Sequence, residues 1–320
     1  MRIGLLNNLR AGRSDTQVSR LLGLLKSYPD VVHAETSSAG AVPEALADLA
    51  DQGVDLLVVN GGDGTLQHAL TEILGHREFG GRVPLVSVLR GGRTNMTALD
   101  LGCQRDPVRS MADLIEAARG GTLADRIVER RVLRVESARD RQVLYGMFFG
   151  PGVIARGIET VHRVFPAGRS QGVFGATVVT GALLARLALL RDAHGTLSPD
   201  KLDLRLDGLP VERAEYTLAM ACTLDRLFAS MRPFWGEGSG GVRFTSVASG
   251  ARNFWKVLPG ILAGRPGRGV NERNGYVSCN VKRIDLRMDC GFTVDGELVE
   301  PSPDRVVTVT ARDVVRFVRA

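Results

Sequence analysis

Two hydrophobic rhythms alternate along the first third of the chain. Residues 2–6, 31–34 and 84–89 form short apolar runs, and Asp55-Leu56-Leu57-Val58-Val59 forms a continuous one that stops at a cluster of glycines. These predict strands, and an unbroken apolar run marks a strand buried on both faces of a parallel sheet. Between them, residues 18–25, 66–74 and 108–118 have helical spacing, and the apolar positions 42, 45, 46 and 49 line one face of a helix. Strands alternating with helices predict a doubly wound α/β domain with its ligand site at the carboxyl ends of the strands.

Beyond about residue 120 the rhythm shortens. Runs at 131–136, 143–149, 202–206, 216–222, 242–247, 276–281, 284–288 and 306–310 predict strands, and Asp207-Gly208 and Asp295-Gly296 predict hairpin turns. The expected fold class is therefore α/β: a doubly wound domain over residues 1–120 and a β-rich, sandwich-like domain over residues 121–305, with a cleft between them. Residues 306–320 are free to pack back on the first domain. Two helical stretches interrupt the β-rich half, at 253–262 and at 172–190. The second is mostly apolar, but Arg186 lies inside it, and an arginine at mid-bilayer costs about 2.5–3.5 kcal/mol on insertion scales. It reads as a packed or interfacial helix rather than a membrane span. Its basic flanks, His162, Arg163 and Arg169 before it and Arg191 after, suit transient docking on an anionic bilayer; a core helix is the competing expectation.

Composition narrows the function classes. A chain of 320 residues suggests two domains, and 44% hydrophobic with 24% charged residues is ordinary for a globular protein. Cys103, Cys222, Cys279 and Cys290 form no CxxC pair, which argues against zinc or redox function and fits a reducing cytoplasm. The first seven residues read as a strand, not a signal peptide. The net charge of +6 favours anionic partners, but the basic residues are dispersed and only 5% of residues are aromatic, so no nucleic-acid groove is expected.

The strongest chemical signal is Val58-Val59-Asn60-Gly61-Gly62-Asp63-Gly64-Thr65-Leu66: a buried strand, three glycines within four residues, then a helix. Glycines let backbone N–H groups approach a phosphate closely, and the helix N-terminus adds partial positive charge. Thr65 is placed to cap that helix or to donate to a phosphate oxygen. Asp63 would repel a polyphosphate unless Mg²⁺ or its coordinated water lay between them. A plain turn with a helix-capping aspartate is the bland alternative.

Asn60–Thr65 resembles the signature shared by the diacylglycerol kinase catalytic domain, the sphingosine kinases, the bacterial lipid kinases and, more distantly, the NAD kinases. Asn8-Leu9-Arg10-Ala11-Gly12-Arg13 is similar to that family's Asn-Pro-x-Ser-Gly-Lys nucleotide loop, with Leu9 for Pro and Ala11 for Ser. Thr36 follows the second strand, where the family carries a nucleotide-contacting threonine. Gly92-Arg93-Thr94-Asn95 resembles its Gly-Thr-x-Asn-Asp, and Asp295-Gly296-Glu297 its late Asp-Gly-Glu element. The resemblance implies a kinase using ATP and Mg²⁺ to phosphorylate a lipid hydroxyl, diacylglycerol-like or sphingoid, within phospholipid metabolism. It implies nucleotide contacts at Asn8, Leu9, Arg10, Ala11, Gly12, Thr36, Gly61, Gly62, Asp63, Gly64, Thr65, Leu66, Gln67, Gly92, Arg93 and Asn95. Catalytic roles fall to Glu297 as base, Asp295 as its partner or alternative, and Asp63, which would meet Mg²⁺ only through the nucleotide. A cytoplasmic protein that visits the inner face of the membrane follows, and a homodimer is left open.

Some positions depart from the family pattern. Arg93 replaces a threonine and Met96 an aspartate, and Gly240-Gly241-Val242-Arg243-Phe244 has no carboxylate where it resembles the family's Asp-Gly-x-Leu-Asp strand, whose first aspartate helps to hold a structural Mg²⁺. These departures feed a rival reading, a nucleotide-binding regulatory protein without catalysis. An NAD kinase-like enzyme is another rival, disfavoured by the Asn8 loop and the late Asp-Gly-Glu. Gly236–Gly241 fits G-x-G-x-x-G, but a strand follows it rather than a helix. Gly168–Gly172 fits G-x-S-x-G without the strand that motif requires.

Overall fold

The computed structural model describes residues 1–9, 15–92, 94–138, 141–164 and 198–320. Among these, Met1–Arg130 with Val314–Ala320 make one compact unit, and residues 131–164 with 198–313 make another. The second unit thus keeps the strand at residue 306, and only the last seven residues return to the first. The 172–190 stretch lies outside the described residues, as do Arg169 and Arg191.

In the first unit strands and helices alternate as the periodicity predicts. They are β1 (Ile3–Asn8), α1 (Asp15–Leu25), β2 (Val32–Thr36), α2 (Val42–Asp51), β3 (Leu56–Gly61), α3 (Asp63–Thr71), β4 (Leu85–Arg90), α4 (Met96–Asp100), α5 (Pro107–Arg119) and β5 (Ile127–Arg131). The sheet has six strands in the order β2-β1-β3-β4, then the C-terminal strand Val314–Val318, then β5. The β1, β2, β3 and β4 pairings are all parallel, and Phe317 aligns with Val86 of β4 in the same sense. Every residue of β3 is buried, as a central parallel strand requires. α2 buries Val42, Ala45, Leu46 and Leu49, the face read from the sequence. Asp106 caps α5 by accepting from the Val108 N–H, with Pro107 in the first turn. The short α4 went unread, because five residues are too few to show a period.

The second unit comprises β6 (Leu133–Ser137), β7 (Gln142–Gly146), β8 (Phe148–Pro151), α6 (Val153–Val164), β9 (Asp200–Leu206), β10 (Leu209–Pro210), β11 (Glu215–Cys222), β12 (Val242–Ala248), α7 (Phe254–Leu262), β13 (Tyr276–Val281), β14 (Arg283–Met288), β15 (Phe292–Val294), β16 (Glu297–Val299) and β17 (Arg305–Thr310). Its pairings are antiparallel, running β16-β15-β8-β11-β9-β14-β17-β6-β7, with β12 bridging β11 and β13. The core gathers the inward residues of these strands, among them Phe149, Phe244, Phe292 and Leu286. Asp207-Gly208 and Asp295-Gly296 are both two-residue hairpin loops with positive φ at each position (50° and 85°, 50° and 95°), the signature of a type I′ turn.

The Gly236–Gly241 segment is neither dinucleotide loop nor free linker. It lies flat along β13: the Trp235 and Gly236 N–H groups donate to Ser278 Oγ at 3.1 and 3.0 Å, and the Asn280 N–H donates to Glu237 O at 3.0 Å. A Cβ at Gly236 would fall 2.0 Å from Ser278 O, one at Gly238 2.3 Å from Asn280 O, and one at Gly240 1.8 Å from Val281 C. Backbone contact of this closeness is possible only for glycine.

Two glycine substitutions should therefore act in opposite directions. Gly240→Ala is expected to destabilise by about 1–3 kcal/mol as the strap is forced off β13. Gly157→Ala, inside α6 with open space around its Cβ position, should stabilise by about 0.5–1 kcal/mol. Denaturant midpoints for both variants check the pair.

Candidate functional site

The strand order of the first unit fixes where a ligand can enter. From β1 the chain moves outward to β2, then crosses back past β1 to β3, so connections leave the carboxyl ends of β1 and β3 in opposite directions. In doubly wound sheets that divergence opens a crevice. Asn7 and Asn8 end β1, Asn60 and Gly61 end β3, and Arg90 ends β4 in register with Gly61. The polar residues read from the sequence therefore collect at one end of the sheet.

Four glycines make the floor. A Cβ at Gly92 would lie 2.3 Å from Gly62 Cα, one at Gly91 2.6 Å from Gly61 N, and one at Gly61 2.6 Å from Thr65 Cβ. The loops after β3 and β4 thus touch backbone to backbone, which no residue with a side chain would permit. Gly62 is the extended N-cap of α3, so the helix begins at Asp63, three residues before the apolar periodicity suggested. The N–H groups of Asp63, Gly64 and Thr65 occupy the first turn, where a helix has no intrahelical partners to offer, and they are aimed outward from the helix end.

Several sequence expectations change at this point. Thr65 does not cap α3; it is the third helical residue, and its hydroxyl oxygen accepts from Asn8 Nδ2 at 2.8 Å, joining the end of β1 to the helix. Leu66 and Gln67, expected to contact nucleotide, are 0% exposed. Leu66 belongs to the core, and Gln67 Nε2 donates to Thr71 Oγ1 at 3.0 Å within the helix. Thr36 is also buried, its hydroxyl donating to Ser38 O at 2.7 Å, while its carbonyl accepts from the Leu9 N–H at 2.9 Å. It anchors the start of the Asn8 loop. Leu9 is exposed; Arg10, Ala11, Gly12 and Arg93 lie outside the described residues.

Asp63 differs most from expectation. The residue is 7% exposed, and its carboxylate accepts from Thr94 Oγ1 at 2.8 Å, from the Met96 N–H at 2.9 Å and from the Thr97 N–H at 3.1 Å. The charge is balanced by the N-terminus of α4, so the repulsion that called for a cation at Asp63 is answered by the chain's own donors. Met96, in the place of a family aspartate, contributes through its backbone. Asn95, in the left-handed region at φ 50°, makes a reciprocal pair with the Gly92 peptide: Gly92 N–H to Oδ1 and Nδ2 to Gly92 O, both at 2.7 Å. Asp63 and Asn95 together hold the second glycine loop against the first.

Two buried polar atoms at the strand ends find no partner among the described residues. Asn60 Nδ2 donates to Asn7 Oδ1 at 2.7 Å, which leaves Asn7 Nδ2 and Asn60 Oδ1 unmatched. Unsatisfied buried groups are rare in folded proteins and concentrate at sites that receive something else. The glycine floor, the outward amides and this pair fit the phosphates and adjoining polar groups of a nucleotide. Arg90, a half-buried cation beside them, escaped the sequence reading because it closes an apolar run. Burial and the like charge of Arg105 push its pKa down, without discharging a guanidinium.

In the second unit, Asp295 and Glu297 part company. Asp295 is buried, with Oδ2 and Oδ1 accepting from the Met147 and Phe148 N–H groups at 2.8 and 2.9 Å. It anchors the β15–β16 turn to β8 and is not disposed as a base. Glu297 is exposed at the first position of β16, aligned with Val294. A structural cation near Gly240–Phe244 does not fit. A Cβ at Gly241 would lie 2.6 Å from Arg131 Cδ, the Arg131 guanidinium donates to Ala311 O, and Arg243 pairs with Asp225.

Residues 2–123 match the family model for the diacylglycerol kinase catalytic domain. No curated protein matches the chain. Three solved structures from Bacillus anthracis str. Sterne are similar in fold. A candidate diacylglycerol kinase has a TM-score of 0.68 at 16% identity, with 100% of this chain and 96% of that one covered. A diacylglycerol kinase has 0.61 at 15%, and a further candidate 0.66 at 18%, each with 100% of this chain and 97% of the other covered.

Removing the Asp63 carboxylate should release the second glycine loop. In Asp63→Ala the amide hydrogens of Met96 and Thr97 are expected to exchange about 10- to 100-fold faster, the equivalent of hydrogen bonds to a charged acceptor. Native-state hydrogen exchange measures this, and unchanged protection would mean that the loop is held without Asp63.

Proposed function

With residues 2–123 matching the diacylglycerol kinase catalytic domain, we propose that this protein is an ATP-dependent lipid kinase, transferring the γ-phosphoryl group to a diacylglycerol-like or sphingoid hydroxyl. The observation that carries the reading is the floor of four glycines at the first turn of α3, where Cβ atoms would collide with the opposing backbone. Such a surface presents amides and little else, which suits a polyphosphate and few other ligands.

In this reading the N–H groups of Gly62 to Thr65 bind the phosphate chain, with Asn8 and Arg90 beside them. Asp63, Asn95 and Thr36 are positioning residues: each fixes a loop through hydrogen bonds and none needs to touch the nucleotide. Glu297 takes the proton of the acceptor hydroxyl as its oxygen bonds to the γ-phosphorus and the bond to the β-phosphate oxygen breaks, releasing ADP. Mg²⁺ bound with the nucleotide would neutralise charge on the transferring group. Asp63 would reach it only through water, since its oxygens are engaged by the chain. A cytoplasmic location with transient membrane contact follows from a lipid acceptor, and nucleic acid has no place in the scheme.

A second reading is favoured by one observation: Gly240 and Phe244 stand where the family's Asp-Gly-x-Leu-Asp strand carries carboxylates, and the Arg131 side chain packs against that segment instead of a metal cation. The protein would then bind nucleotide without transferring phosphate.

Incubation with radiolabelled ATP, Mg²⁺ and a total lipid extract, followed by chromatography, separates the two. The kinase reading expects a labelled lipid; tight nucleotide binding with no labelled product supports the second. Glu297→Gln should lower turnover by about 10²–10⁴-fold, the usual contribution of a general base, while ATP affinity changes little. Parallel losses in both would assign Glu297 a structural role.

A further inference from the structure

α7, Phe254–Leu262, carries two apolar stripes where a surface helix needs one. Phe254, Val257 and Ile261, spaced i, i+3, i+7, face a small satellite core with Val247, Val270 and Tyr276. Trp255, Leu258, Pro259 and Leu262, spaced i, i+3, i+4, i+7, form the other. Only Ile261 in this helix is fully buried; Trp255 is 45% exposed and Pro259 is exposed as well. Asn253, in the left-handed region, turns the chain into the helix, and a hollow of about 600 Å³ opens beside it between Thr217, Ala251 and Trp255.

The segment that carries this second stripe is strongly basic. Residues 250–274 contain five basic side chains, Arg252, Lys256, Arg265, Arg268 and Arg273, against the single acid Glu272. All five are exposed. None of Arg252, Lys256, Arg265 and Arg268 has an ion-pair partner among the described residues, whereas Arg163, in the basic flank read from the sequence, pairs with Glu159 at 2.6 Å.

We infer that the outer face of α7, together with the exposed arginines and lysine of residues 250–274, is a docking surface for an anionic lipid bilayer. An exposed tryptophan next to Lys256, in a segment whose other exposed cations have long apolar stems, matches the interfacial region of a membrane, where the indole sits among headgroups and cations meet lipid phosphates. No helix among the described residues is long and apolar enough to cross a membrane, so α7 would lie in the interface rather than span it. The partner is the bilayer surface itself, and the surface stands apart from the identity of any acceptor lipid, because binding needs no turnover.

The full chain is sedimented with vesicles of phosphatidylcholine alone and of phosphatidylcholine with an equal part of phosphatidylglycerol. Binding is expected only to the mixed vesicles, with release by added salt. Trp255→Ala should weaken it by about tenfold or more through lost apolar insertion, and Lys256→Ala about fivefold, the contribution of one cation near an anionic surface. Both positions are exposed, and unchanged unfolding midpoints would confirm intact folds. Failure of the unsubstituted chain to bind, or full binding by Trp255→Ala, would overturn the proposal. So would a Trp255-dependent dimer that masks the face without vesicles. A chain that binds vesicles but labels no lipid would leave this surface standing and remove the kinase reading alone.

Discussion

One buried carboxylate holds the first unit's site in shape. Asp63 lies in the opening turn of α3, yet its hydrogen bonds go to Thr94, Met96 and Thr97 at the start of α4. It therefore fastens the loop after β4 to the loop after β3, and the glycines let the two backbones meet. The geometry at the crevice follows from that attachment: Asn95 folds the Gly92 peptide onto itself, and Asn8 reaches Thr65 from the neighbouring strand. A side chain that looks catalytic in sequence acts here as a clasp between two loops.

The same economy recurs in the second unit. Asp207 and Asp295 each open a two-residue hairpin at φ 50°, and each carboxylate accepts from two successive backbone N–H groups of a neighbouring segment, Lys282 and Arg283 for one and Met147 and Phe148 for the other. Aspartate tolerates the left-handed conformation and carries two acceptor oxygens, so one residue sets the turn and pins it to the next strand. At the late Asp-Gly-Glu element this fixes the register from which Glu297 emerges.

Much of this was legible in the chain. The continuous run ending at Val59 became a fully buried central strand, the face at 42, 45, 46 and 49 became the core side of α2, and both Asp-Gly pairs became tight turns. What escaped has physical causes. The start of α3 was misplaced because Asp63-Gly64 reads as loop by propensity, while the extended Gly62 initiates the helix regardless. α6 was missed although its Ile154, Ile158 and Val161 are helically spaced, because Gly157 and β-branched residues weaken that signal. Acids at Asp63 and Asp295 could be read for chemistry but not for saturation, since only coordinates reveal which donors surround an oxygen. The outward stripe of α7 was hidden in the same way: composition shows an apolar helix and not which side is left partly exposed.

The glycine strap along β13 bears on how this protein avoids pairing with other copies of itself. Strand β13 pairs with β12 on one side, and its other side would expose a row of unfilled backbone donors and acceptors, an invitation to strands from other molecules. The peptide from Trp235 to Gly240 occupies that margin without adding a strand of its own. Because Gly236, Gly238 and Gly240 leave no room for a β-carbon, the barrier against intermolecular sheet growth depends on glycine recurring at alternate positions, and its loss would appear first as aggregation.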